Sequence, residues 1–255
     1  MMKIAGKLCF IFLLGFTGAA LQAAEETPIQ QMRNMMKNIL VDNQLFRDDP
    51  SHDEEFFKRQ SQTQHPRTTL VACSDSRVHT SSFDLHPLRD VFFVRNIGNQ
   101  LETCQGSIDY GIKHLHTPLL LVLAHSNCGA VIAVTKGTQE LEESIRRELA
   151  PMHVIHQTPN PTDQQIAENV LSNLHDQVNK AYTIYQDLVT AGKLWIVGAL
   201  MILPPKGKGQ ITIVQVNNQT DETSLSEFLE DVQTHGIYCD DPGRELTKAK
   251  QQSGY

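Results

Sequence analysis

Apolar and polar positions alternate along this chain in two periods, and the change from one to the other lays out its elements. From Thr27 to Asp53, Met32, Met35, Met36, Ile39 and Leu40 recur at helical spacing among polar residues, which predicts an amphipathic helix. Such a face calls for cover by the body of the protein or by a partner subunit, because the polar face lacks the basic residues of a membrane-surface helix. Short β-prone runs follow: Arg67 to Cys73, Val91 to Val94 and Leu119 to Leu123. The last of these is almost wholly apolar, as in a strand covered on both faces. Helical patterns alternate with them, at about Gln105 to His116 and Cys128 to Thr135. A long helix runs from Gln164 to Ala191, with Val170, Leu174, Val178, Tyr182 and Tyr185 three or four residues apart and Gly192 closing it. The segment between, Leu141 to Thr162, is charged and then proline-rich.

Strands alternating with helices predict an α/β fold, a mostly parallel sheet flanked by helices. The runs Leu194 to Leu203 and Gln210 to Val216 bracket a Pro-Pro-Lys-Gly-Lys-Gly turn and predict a hairpin that adds an antiparallel edge strand. A short helix is expected near Ser224 to Val232 in an acidic tail. The helix at Thr27 to Asp53 precedes all of this as an N-terminal arm.

The first residues change the compartment. Lys3 and Lys7 lead into the apolar run Leu8 to Phe16, then small residues to Ala23, the layout of a secretory leader. The run is shorter than the roughly 20 apolar residues of a spanning helix. Cleavage after Ala23 would leave one domain over residues 24–255, in the periplasm or beyond, with no stable membrane insertion. It would also remove Cys9, leaving Cys73, Cys104, Cys128 and Cys239.

With 40% hydrophobic and 20% charged residues, the chain has the composition of a globular domain. Its net charge of −7, and the lack of any Lys/Arg cluster able to track a phosphate backbone, argue against nucleic acid as a partner.

The chemistry concentrates at two points. Cys73 ends the first strand and opens Cys73-Ser74-Asp75-Ser76-Arg77; His125 and Cys128 stand where a later strand hands over to a helix. Zinc prefers thiolate and imidazole, and three protein ligands leave one position open. In a parallel sheet, neighbouring strand ends can bring Cys73, His125 and Cys128 to one point. An isolated His-x-x-Cys is weak, and exported cysteines often pair in disulfides, so a disulfide-stabilised binding domain stays open on these residues alone. Asp75 and Arg77 are the difference, since neither a disulfide nor simple zinc binding asks for them.

Together these motifs resemble those of the β-carbonic anhydrases. The resemblance extends to Arg95 to Asn99, Gly106 to Tyr110, Glu168 to Val170 and Val197 to Leu200, and covers roughly Thr27 to Val216. Ala124, where glycine usually precedes the histidine, is a departure. The resemblance implies one Zn2+ per chain and reversible hydration of carbon dioxide to bicarbonate and a proton. Metal-activated water would be oriented by Asp75, itself held by Arg77. It also implies that Asp75 can become a fourth zinc ligand, and that the working unit is a homodimer or a dimer of dimers. A hydrolase of carbonyl sulfide or carbon disulfide, and a noncatalytic zinc or bicarbonate binder, are the rival readings. Cys104, Cys239 and the remaining histidines receive no role.

Overall fold

The computed structural model describes residues 26–60, 63–84, 88 and 90–235. The expected leader, Cys9, Arg89, His86 and Cys239 lie outside them. The chain divides between Ser61 and Gln62 into two compact units. No helix of the described residues is long and apolar enough to cross a membrane.

The first unit is the helical arm. Helix α1 (Pro28–Asp48) begins where the Thr27 hydroxyl accepts from the Gln30 N–H, and proline sits in its first turn. It stops at Asp48, short of the expected Asp53, because Asp49-Pro50-Ser51 forms a turn before a second helix, α2 (Glu54–Gln60). None of the α1 residues is buried, and Met32, Met36 and Leu40 are all more than half exposed.

The second unit is the expected α/β sheet. Strands β1 (Thr68–Cys73), β2 (Val91–Asn96), β3 (Leu119–His125), β4 (Trp195–Ile202) and β5 (Gln210–Val216) stand in the order β2-β1-β3-β4-β5. All neighbours are parallel except β4 and β5, whose antiparallel pairing makes the anticipated edge. Chain order reverses direction between β1 and β3, the switch point at which open α/β sheets build sites beyond the carboxyl ends of their strands. Cys73 and His125 are the last residues of those two strands.

Helices pack on the faces. They are α3 (Gln105–Asp109), which runs on as a wider turn over Tyr110–His114, α4 (Gly129–Lys136), α5 (Glu143–Leu149), α6 (Asp163–Thr190) and α7 (Glu222–His235). Helix α5 falls in the charged, then proline-rich stretch, to which the sequence assigned no element; only Ile145 and Leu149 form its apolar side, too little periodicity to stand out. Helix α6 opens with a capping box between Thr162 and Gln165, and Gly192 (φ +65°) ends it.

Beside the apolar stripe of α6, three amides four residues apart are fully buried: Asn169, Asn173 and Gln177. Each holds backbone from another part of the chain. Asn169 accepts from the N–H groups of Ile155 and His156 and donates to the His156 carbonyl and to Thr135 Oγ1. Asn173 donates to the Gly98 carbonyl, and Gln177 accepts from the Leu101 N–H.

Gly111 lies against β1, with its carbonyl accepting from Thr117. A Cβ there would meet Thr69 Oγ1 at 2.2 Å, and Thr69 is itself buried and bonded to the Thr117 hydroxyl at 2.8 Å. Overpacking of this kind costs about 1–3 kcal/mol. Gly111→Ala is therefore expected to lower Tm by roughly 2–12 °C in a thermal melt, at about 2–4 °C per kcal/mol for a domain of this size.

Candidate metal centre

Each ligand-bearing residue is placed by an element that the sequence makes rigid. Cys73 ends a strand whose last five residues are buried, and its sulfur accepts from the Gly98 N–H at 3.4 Å. His125 ends β3. Cys128 is the N-cap of α4, near the N–H groups of Ala130 and Val131 but with no side-chain cap hydrogen bond. The helix amides and dipole favour a thiolate there, but Cys73 and burial outweigh them.

The structure brings all three together. The Cys73 and Cys128 sulfurs and a ring nitrogen of His125 lie within 4.8 Å of one another, and the residues are 5%, 1% and 0% exposed. Both cysteines are free thiols with sulfurs 3.9 Å apart, far from the roughly 2.05 Å of a disulfide. This excludes the crosslink that a disulfide-stabilised domain would need. Two thiolates each about 2.3 Å from a tetrahedral zinc are themselves about 3.8 Å apart, so the spacing suits that ion.

The histidine supplies the second test. His125 Nδ1 faces the Ser126 carbonyl at 3.0 Å, which makes Nδ1 the protonated nitrogen. Nε2 is then a bare lone pair, and it is buried with no hydrogen-bond partner. An orphaned acceptor in a dry site is costly unless a cation takes it. Cys73, His125 and Cys128 therefore fit zinc.

The two thiols interact too closely to ionise independently. Cys73 is drawn down, first by the hydrogen bond from Cys128 and then by His125 and the Gly98 N–H, against the effect of burial. Cys128 is pushed up by the same contact with Cys73 and by burial. The pair thus retains one proton, which a metal bound by both sulfurs must displace.

Asp75 lies beside this cluster. Its Oδ1 accepts from the Arg77 backbone N–H and from Arg77 Nε, both at 2.9 Å, and Oδ2 accepts from Arg77 Nη2 at 2.6 Å. The guanidinium holds the Asp75 carboxyl well below the usual carboxylate range, although partial burial opposes this. Oδ2 also stands 3.8 Å from His125 Nε2, which puts the carboxylate at the rim of the metal pocket while it stays paired with Arg77. All five residues singled out from the sequence therefore meet at one sheet end.

Two supporting residues received no role from the sequence. Ser126 joins the ligand turn to β4: its N–H donates to the Met201 carbonyl, and its hydroxyl accepts from the Leu203 N–H. Met152 packs on Gly98 so closely that a Cβ there would lie 2.3 Å from its methyl group. Cys104 is a half-buried free thiol bonded to the Gln100 carbonyl and takes no part in the cluster.

Comparison with known proteins agrees with this geometry. Residues 68–207, more than half of the chain, match the model of a family described as carbonic anhydrase. A carbonic anhydrase of Synechococcus elongatus is 29% identical over 168 residues, covering 58% of this chain and 61% of that protein. One of Mycolicibacterium smegmatis is 35% identical over 97 residues, 36% of this chain and 47% of that protein. The chain thus spans about half the length of the curated relatives it matches. Among solved structures, the β-carbonic anhydrase CcaA aligns with a TM-score of 0.62 at 22% identity, over 71% of this chain and 95% of that one. Tetrameric β-carbonic anhydrases of Sordaria macrospora align at 0.60 and 21%, over 71% and 97%. These two share its fold. With a family model matched across every strand up to β4 and the ligand cluster assembled at the switch point of the sheet, the chain belongs to the β-carbonic anhydrase family.

Proposed function

We propose that this protein catalyses the reversible hydration of carbon dioxide to bicarbonate and a proton, with zinc held by Cys73, His125 and Cys128. One observation carries the reading: a buried three-donor cluster with an unpartnered His125 Nε2, bordered by a carboxylate that an arginine keeps ionised.

Bound there, zinc would supply Lewis acidity, bringing the pKa of a water it holds down to about 7. The protein's share is orientation. Asp75 cannot donate while ionised, so it accepts a hydrogen bond from the attacking water and turns an oxygen lone pair towards the carbon of the substrate. Oδ2 carries only one bond from Arg77 and has acceptor capacity left for this. Arg77 holds the carboxylate through a two-point clamp, which fixes its plane as well as its charge. Val131 and Met152 belong to the buried apolar cluster that also contains Cys73 and Cys128.

The same reading extends to compartment and assembly. The basic, apolar and small order of residues 1–23 supports export to the periplasm, which cell fractionation reads directly. The exposed apolar face of α1 supports a homodimer or dimer of dimers, which light scattering reads.

Stopped-flow hydration with zinc measured in the same samples tests the activity. About one zinc per chain with rapid hydration is expected, and a chelator that removes the metal should remove the activity in proportion. Zinc bound without hydration at any neutral or alkaline pH would overturn the reading.

A further inference from the structure

Where β3 meets β4, a side-chain hydroxyl stands in a place that the sheet reserves for a carbonyl. The two strands run parallel with His125 opposite Met201, so the next step of the ladder sets Ser126 opposite Ile202. In a parallel ladder that step takes two bonds, one from the Ser126 N–H to the Met201 carbonyl and one from the Leu203 N–H to the Ser126 carbonyl. The first is made, at 2.9 Å. In the second, the Leu203 N–H donates instead to the Ser126 hydroxyl, at 2.9 Å, and the Ser126 carbonyl accepts from His125 Nδ1 at 3.0 Å. Leu203 is buried, so its N–H would be costly to leave unpaired. Pro204 and Pro205 come next and have no N–H, which makes Leu203 the last donor the ladder can use.

We infer that Ser126 is a positioning residue of the metal centre: its hydroxyl completes the sheet in place of its own carbonyl, and so releases that carbonyl to hold the His125 ring with Nε2 left for the metal. The inference rests on the metal centre proposed above. His125 is fully buried, and the Ser126 carbonyl is the partner of its Nδ1. Without the hydroxyl, the Leu203 N–H and the His125 Nδ1–H compete for one carbonyl, and the ladder geometry favours the main chain. The ring then loses its hold and is free to tilt or to exchange tautomers, so that Nε2 no longer stands fixed as a bare lone pair. Partners that orient a metal-binding histidine are worth about 10–100-fold in metal affinity.

Two measurements on the metal-loaded protein read this without catalysis. In competition with a coloured chelator, Ser126→Ala should bind zinc about 10–100-fold more weakly than the parent. Ser126→Thr, which keeps the hydroxyl, should bind it as the parent does. In the second measurement cobalt replaces zinc, and its unpaired electrons move the Nδ1 proton of a bound histidine far outside the ordinary range of a proton NMR spectrum. One such proton is expected in the parent and in Ser126→Thr, and it should be lost to exchange with water in Ser126→Ala. A merely structural role would lower Tm and leave this resonance in place. Retention of the parent resonance or of the parent zinc affinity in Ser126→Ala, or failure of Ser126→Thr to restore both, would overturn the inference. Should Ser126→Ala fail to fold, Ser126→Val, which has the shape of threonine without its hydroxyl, is read in the same way against Ser126→Thr; its failing too would make Ser126 a folding residue and overturn the inference. A parent protein that takes up neither metal, or that holds cobalt without a shifted histidine proton, would instead sink the metal centre itself, and this inference with it.

Discussion

Cys128→Ser is expected to empty the metal site and to reduce carbon dioxide hydration at neutral pH by at least about 10³-fold. Serine fills the space of cysteine but keeps its proton at neutral pH, so it offers zinc a neutral hydroxyl where the site offers a thiolate. The position is demanding because Cys128 is buried and supplies one of only three protein donors. Loss of one leaves Cys73 and His125, too few to hold the ion against solvent. The catalytic fall follows from the water losing its acidity near neutral pH once the cation is gone. Zinc analysis beside stopped-flow rates checks both halves. The fold should persist, since β1, β3 and α4 are assembled by apolar contacts around the site. A variant that retained full zinc and a near-parent rate would remove Cys128 from the ligand set.

Asp75→Asn should behave differently: zinc retained, hydration reduced by about 10²–10³-fold, the range seen when one oriented catalytic group is lost. The amide is the same size as the carboxylate but carries no charge, and its NH2 group cannot accept a hydrogen bond. One arm of the Arg77 clamp is therefore broken, and the remaining oxygen must serve both arginine and water. The loss should fall on kcat more than on KM, because the interaction concerns the attacking water rather than the capture of substrate. Equal zinc content and a melting temperature close to that of the parent would separate this from damage to the fold. An unchanged rate would mean that Asp75 serves only to hold Arg77.

Much of this was legible in the chain itself, for physical reasons. Strands β1 and β3 are central in the sheet, so both faces are covered and their residues read as nearly unbroken apolar runs. The ligands could be located because strand ends and a helix start have sequence signatures, and because Cys73, His125 and Cys128 are rare residue types in a pattern that zinc requires. What escaped was carried by main-chain groups. Arg95 lies in a stretch that carries the family resemblance and Ser126 stands between two ligands, but both act through carbonyls and N–H groups that every residue has, so their places were legible and their tasks were not. Helix α5 has only Ile145 and Leu149 on its buried side, below the length at which periodicity speaks. The break at Asp49 shows how a Pro50 turn can stop a helix whose apolar rhythm would have carried it further.

Buried amides are the least visible feature, since Asn169, Asn173 and Gln177 look like the polar face of α6 until their neighbours are known. Their bonds reach the segment at Ile155 and His156, Gly98 next to the Cys73 sulfur, and Leu101 beyond it. One helix therefore serves as a common keel for stretches of chain far apart in sequence. These segments have no low-energy way to open singly, because releasing any of them leaves a buried amide of α6 unpaired. They should move with the helix as one cooperative unit, so exchange of their amide protons is tied to the rarer event of α6 leaving the sheet. Changes in loop sequence near the metal would then be felt along the whole helix, and substitutions on that helix would be felt at the metal.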